Sequence, residues 1–119
     1  MRVPFALALL ALAVSSVAHA QSALDFRLVN RTGYQIDEVY VSPASSSSWG
    51  DDIMGRDAVP DGSTVNVTFN PRARTCKWDL KVVYEDGDES EWEALNLCSV
   101  SKVTLFWNRR AGTTRAVTE

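Results

Sequence analysis

The sequence predicts an all-β protein, a small antiparallel β-sandwich of about six strands, and three observations lead to that prediction. Apolar and polar residues alternate along most of the chain beyond residue 21. Turns rich in Gly, Pro, Asn and Asp separate these short segments, and no long stretch has the periodicity of a helix. Two sheets packed face to face would bury the apolar side of every strand. A small β-barrel is the alternative.

The first three strands are predicted in the first half of the domain. Leu24, Phe26 and Leu28 alternate with charged residues, which is typical of a half-buried strand. β-Branched and aromatic residues indicate the second strand, and alternating Val and Phe residues the third, which Pro71 ends. These strands are expected at about 24–30, 36–41 and 65–69.

A hairpin and one further strand follow. Cys76, Trp78, Leu80, Val82 and Tyr84 alternate with polar residues, and the turn at 86–88 contains a glycine suited to positive φ. The return strand is expected at about 89–98 and the last strand at 100–108, with Val103, Leu105 and Trp107 on one face. We expect Trp78, Trp92, Trp107, Phe69 and Phe106 to supply core volume. Residues 109–119 lack apolar periodicity and are predicted to be a flexible tail.

The hairpin register and the cysteine pair support each other. If Glu85 faces Glu89 across a three-residue loop, Cys76 faces Cys98, and directly opposed Cβ atoms lie about 4.5–5.5 Å apart. That separation is slightly wide of the ~3.5–4.5 Å that a disulfide needs, so a small local adjustment is required. These two cysteines are the only ones in the chain. We therefore predict a structural Cys76–Cys98 disulfide, worth about 3 kcal/mol in the chain-entropy model.

The first twenty residues have the pattern of a cleaved signal peptide. Arg2 precedes an unbroken apolar stretch, and small residues lead to Ala20, the predicted cleavage site. We therefore expect a periplasmic or secreted protein with a single domain over 21–108. Cleavage would also remove His19, the only histidine. The mature chain would then lack imidazole for catalysis or metal binding.

Charge excludes further classes of function. The formal net charge is −3, and removal of Arg2 makes it more negative. An acidic chain without a basic run has no electrostatic reason to bind nucleic acid. No apolar stretch beyond the signal peptide is long enough to span a membrane. The sequence leaves the oligomeric state open.

The connection 42–62 is the segment that does not fit a compact sandwich. It begins with a serine-rich run and continues with Trp49, Asp51, Asp52 and Asp57. Loops of this length without strands are usually functional or disordered. One interpretation is a short helical turn that caps the sandwich, with Ser47 or Ser48 as its N-cap. A second is a calcium site formed by the three aspartates. A third is an exposed Trp49 that binds a protein or a glycan.

Catalytic motifs are absent from the sequence. Without histidine, Ser-His-Asp and Cys-His mechanisms are excluded, and there is no phosphate-binding loop or dinucleotide fingerprint. A pair of carboxylates could still hydrolyse a glycoside. The charged segment 86–91 could chelate a cation, although a hairpin tip has the same composition. We expect a turn there and a protein that is not an enzyme.

Several segments together resemble a widespread group of small exported bacterial proteins of unknown function. These segments are 30–43, Trp49-Gly50-Asp51-Asp52, Val59-Pro60-Asp61-Gly62 and 76–81. The resemblance covers nearly the whole mature chain and implies no activity and no functional residue. Similar short chains are sometimes labelled argininosuccinate lyase, a large helical cytoplasmic tetramer. Nothing in this sequence resembles that enzyme, so we treat such a label as an inherited error.

The sequence therefore predicts an exported binding or structural module without catalytic activity, acting through the connection 42–62. Its partner would be an unidentified protein or glycan. A calcium-stabilised module and a small carboxylate-dependent hydrolase are the alternatives, and no other cofactor is expected.

Overall fold

The structure is a computed structural model, which describes residues 22–119. The predicted signal peptide, 1–20, lies outside the described residues. Seven strands alternate with turns in this part of the chain. They are β1 (Phe26–Arg31), β2 (Ile36–Pro43), β3 (Thr64–Val67), β4 (Lys77–Tyr84), β5 (Glu89–Asn96), β6 (Lys102–Asn108) and β7 (Thr113–Thr118).

The strands form two sheets, which confirms the predicted all-β sandwich. The large sheet has the order β3-β1-β6-β7, and the small sheet has the order β2-β4-β5. One feature departs from the prediction, because β1 and β6 pair in parallel while the other neighbours are antiparallel. The parallel pair joins strands from opposite ends of the domain. Local alternation reveals each strand but not the direction of such a distant neighbour.

The prediction of a flexible tail over 109–119 is wrong. Thr113–Thr118 pair with β6 along the edge of the large sheet, from Val103↔Thr118 to Asn108↔Thr113. Asn108 makes the turn possible, because its side-chain Oδ1 accepts the backbone N–H groups of Arg110 and Ala111. Gly112 then takes a φ of 66°. An edge strand of threonines with few large apolar residues has little alternation from which to be predicted.

The core lies between the sheets and consists mostly of aliphatic residues. The buried cluster contains Leu24, Phe26, Leu28, Ile36, Val39, Val59, Val67, Leu80, Val82, Tyr84, Leu97, Val103 and Leu105. Trp78, Trp92 and Phe69 pack against this cluster as predicted. Trp107 does not, because it lies at the end of β6 and remains 38% exposed. Phe106 is half-buried and also lies outside the cluster.

The Cys76–Cys98 disulfide is present, with Cα atoms 5.1 Å apart. The register predicted for the hairpin is wrong, however, because Val83 faces Glu89 and Tyr84 N–H donates to the Asp88 carbonyl. The register shifts between Trp78 and Leu80, where Ala94 has a φ of 53°. The bulge shifts the register by one residue, back toward the predicted one. The two cysteines meet just beyond the last paired residues of the hairpin.

Candidate functional site

The connection 42–62 covers the small sheet. Ser42 Oγ donates to the Ser48 carbonyl at 2.9 Å, so the serine-rich run folds back over the end of β2. Trp49 is half-buried, with its ring centroid 6.5 Å from that of Tyr40. Lys81, which pairs with Tyr40 across the strands, places Nζ 4.7 Å from the Tyr40 centroid and 5.1 Å from the Trp49 centroid. The place over these two rings where an external cation could bind is thus already occupied by Lys81 of the same chain.

Tyr40 has a perturbed ionisation. Burial raises the pKa of its phenol above 10.0, and the hydrogen bond that Tyr40 donates to Glu38 acts in the same direction. The negative charges of Glu38, Asp52 and Asp51 add to the rise in pKa. The phenol therefore stays neutral to a higher pH than that of an unperturbed tyrosine.

Asp52 holds the following turn against the edge of the small sheet. Its Oδ1 accepts the backbone N–H groups of Val39 at 2.9 Å and Met54 at 3.0 Å. Ile53 N–H donates in return to the Val39 carbonyl at 2.9 Å. Val59 and Ile36 exchange two further backbone bonds. The connection thus pairs the polar groups of an edge strand that would otherwise be open to another chain.

The helical-turn and calcium interpretations of this connection require correction. Residues 53–56 form a turn and no helix is present over 42–62, so Ser47 and Ser48 cap none. Across residues 22–119, no three His, Cys, Asp or Glu side chains are grouped so that they could hold a metal ion. Asp51 and Asp57 are exposed, whereas Asp52 is committed to the backbone. The calcium interpretation therefore lacks its ligand cluster.

A different cluster, which we call the aromatic end, consists of Tyr34, Tyr84 and Trp107. The Tyr34 ring lies edge-on to Trp107, with centroids 6.0 Å apart and planes at 87°, and 6.5 Å from the ring of Tyr84. Tyr34 is 52% exposed and Trp107 is 38% exposed, whereas Tyr84 is buried. Large aromatic side chains that remain exposed side by side are typical of interaction surfaces.

The position of Tyr34 is set by a buried hydrogen-bond network around Asn30. Asn30 Nδ2 donates to the Tyr34 carbonyl at 2.7 Å and to the Val59 carbonyl at 2.9 Å. Asn30 Oδ1 accepts the Thr32 hydroxyl at 2.7 Å, and Gly33, with a φ of 85°, donates its N–H to Asp61 at 2.8 Å. The Asn-x-Thr-Gly sequence thus forms a hydrogen-bonded turn that projects the next side chain, Tyr34, from the end of the sandwich.

Hydroxyl groups connect the two sheets below the aromatic end. Tyr84 Oη lies 2.6 Å from Thr114 Oγ1, and Ser90 Oγ donates to the same Thr114 oxygen at 3.3 Å. These bonds join β4 and β5 of the small sheet to β7 of the large sheet. Hydrogen bonds between the two sheets therefore hold together the residues below the aromatic end.

Concave surfaces of opposite charge lie on the two sides of the aromatic end. The acidic groove, about 1030 Å³ in volume, contains Asp86, Asp88, Glu89 and Glu91 beside Tyr34, Tyr84 and Trp107. The tip of the β4–β5 hairpin, which lines this groove, forms the predicted turn. There Asp86 Oδ1 accepts the Asp88 N–H and Gly87 has a φ of 89°. The basic face is formed by Arg31, Arg109, Arg110 and Arg115, around Phe106 and Trp107.

Sequence reasoning missed both exposed members of the aromatic end. Trp107 shares the alternation of Val103 and Leu105, which predicts a core position, whereas Tyr34 falls between the first two predicted strands. The signal that could have found them was positional. Trp107 is followed by Asn108 and two arginines, which marks the end of a strand, and Tyr34 directly follows a turn glycine.

Comparison with known proteins supports the fold alone. No protein-family model and no curated protein matches the chain. A solved structure, the NMR structure of a protein from Eubacterium rectale, is similar with a TM-score of 0.58 at 9% identity. The match covers 87% of this chain and 93% of that one. Within the described residues there is no helix of the length and apolar character needed to cross a membrane.

Proposed function

We propose that this protein is an exported, non-catalytic protein-interaction module whose partner binds at the aromatic end. The exposed pair of Tyr34 and Trp107 carries this proposal, because aromatic residues dominate the energetics of protein interfaces. The Asn30 network and the Thr114 hydroxyl cluster fix the backbone beneath both rings. A preformed surface loses little conformational entropy when a partner binds.

A catalytic role receives less support from the same groove. It does hold four carboxylates, which a glycoside hydrolase would need as a pair. All four are exposed to water. A carboxylic acid that donates a proton at neutral pH usually lies in an apolar, water-poor pocket. The described residues also contain no histidine.

The connection 42–62 is less well suited to bind a partner than the aromatic end. Trp49 packs on Tyr40 beneath the ammonium group of Lys81, and Asp52 is bonded to the backbone of β2 and the adjacent turn. These residues already have partners within the chain. Binding there would compete with the contacts that cover the small sheet.

Export is supported by the disulfide together with the predicted signal peptide. Disulfides persist mainly in oxidising compartments such as the periplasm and the extracellular space. Export of the natural protein can be tested directly by cell fractionation and by sequencing the mature N-terminus, which should be Gln21. An N-terminus at Met1 in the cytoplasmic fraction would contradict this part of the proposal.

Binding at the aromatic end can be tested with three probes of different chemistry. These probes are a short arginine-rich peptide, a short aspartate-rich peptide and a neutral oligosaccharide, each titrated into the protein at low concentration. One of the two peptides should bind, and Tyr34→Ala and Trp107→Ala should each weaken that binding at least about tenfold. Binding of the oligosaccharide alone would contradict a protein partner. Ile53→Ala is the matched control, because Ile53 is 44% exposed elsewhere. Binding unaffected by the aromatic variants, or absence of binding by every probe, would contradict the proposal.

A further inference from the structure

We propose that the partner at the aromatic end is a second copy of this chain, in a two-fold symmetric dimer. This inference rests on the proposed function, because it names the partner of the same surface. A two-fold interface brings the same patch of both copies together, so the patch must be complementary to itself. The aromatic end and its two flanks meet this requirement.

The first flank, the acidic groove, has no cationic lining. Of the described residues, those that line the groove include four carboxylates and neither lysine nor arginine. A partner that brings guanidinium groups would neutralise these carboxylates and would also find aromatic faces for cation–π contact. The groove is therefore complementary to an arginine-rich surface.

The second flank, the basic face, is such a surface. It presents Arg31, Arg109, Arg110 and Arg115, and its lining carboxylate, Asp61, is bonded to the Gly33 N–H at 2.8 Å. The Arg115 guanidinium lies 5.5 Å from the centre of the Phe106 ring. Arginine suits interfaces because its guanidinium is weakly hydrated and pairs with carboxylates through two parallel bonds.

Trp107 lines both concave surfaces, and Tyr34 lines the acidic groove and one part of the basic face. A two-fold axis through this aromatic pair would place each acidic groove against the basic face of the other copy. The charged contacts would then occur twice around an aromatic centre. Interfaces commonly have this arrangement of central aromatic anchors and polar periphery.

Charge-reversal variants test the dimer by sedimentation equilibrium at low and high salt. Glu89→Arg/Glu91→Arg neutralises the acidic groove and leaves the end with a net positive charge, because Asp86 and Asp88 remain. Arg109→Glu/Arg110→Glu neutralises the basic face and leaves the end with a net negative charge. Wild-type protein should dimerise, and more weakly at high salt. Each double variant alone should dimerise at least about tenfold less tightly. A one-to-one mixture of the two variants should recover the association, because a basic end then meets an acidic end. Glu93→Arg and Arg74→Glu, which alter exposed residues outside both flanks, are the controls.

Trp107→Ala provides a second test that leaves the charges unchanged, and it should also weaken the dimer at least about tenfold. A wild-type protein that stays monomeric up to about 1 mM would overturn the dimer. A mixture that associates no better than its components would do the same. If the monomer nevertheless binds the arginine-rich peptide at Trp107, the proposed function stands and only the second copy is excluded. If no probe binds there, both proposals fail.

Discussion

The ring of Tyr34 stands edge-on to the indole of Trp107, with their centroids 6.0 Å apart and their planes at 87°. Tyr34 lies in the turn between β1 and β2, whereas Trp107 lies near the end of β6. The pair therefore depends on the parallel pairing of β1 with β6 in the large sheet, where Arg31 faces Phe106, and not on any local sequence. Its exposure distinguishes it from the aromatic residues that pack against the core.

The turn that presents Tyr34 depends on the buried side chain of Asn30. Asn30→Ala would leave the carbonyls of Tyr34 and Val59 and the hydroxyl of Thr32 without this partner. We expect a loss of about 3 kcal/mol in the free energy of unfolding, measured with urea. Asn66→Ala, at an exposed position of β3, should change the same quantity by less than about 0.5 kcal/mol. Equal effects of the two substitutions would contradict this role of Asn30.

Asp52→Ala should detach the connection 42–62 from the edge of the small sheet. The substitution removes the acceptor for the Val39 and Met54 N–H groups, which should cost about 1–2 kcal/mol of unfolding free energy. Hydrogen exchange at the Val39 amide should become faster. Asp51→Ala is the matched control at the neighbouring exposed position. Unchanged exchange at Val39 in Asp52→Ala would refute the assignment.

Trp49→Ala separates a covering role of this residue from a binding role. Because Trp49 packs half-buried on Tyr40 and beside Lys81, its removal should lower the free energy of unfolding by about 1–2 kcal/mol. Probe binding at the aromatic end should be unchanged. If stability were unaffected and binding were lost, Trp49 would be the binding residue that the sequence alone had indicated.

The disulfide is expected to contribute strongly to the stability of a domain this small. Cys76→Ser/Cys98→Ser should lose about 3 kcal/mol of unfolding free energy relative to the oxidised protein. Reduced wild-type protein should behave like the double variant in the same urea titration. A reduced protein as stable as the oxidised one would show that the bond adds no constraint.

Local alternation was enough to predict the two-sheet class, most strands and the cysteine pair. It did not predict β7, whose threonines give little contrast between faces, or the parallel pairing of β1 with β6. The hairpin register was wrong because the bulge at Ala94 cannot be read from alternation. The candidate site was missed for a related reason. Trp107 has the alternation of a core residue, and only the length of β6 relative to the core leaves it exposed.

The indole N–H signals of the four tryptophans offer the most direct test of the aromatic end as the interaction surface. They should be followed by ¹H–¹⁵N NMR as the concentration of the protein or of a bound probe is raised. We predict that the Trp107 signal shifts while the signals of Trp49, Trp78 and Trp92 stay in place. A shift at Trp49 with Trp107 unmoved would contradict the proposal and would place the interaction on the connection 42–62.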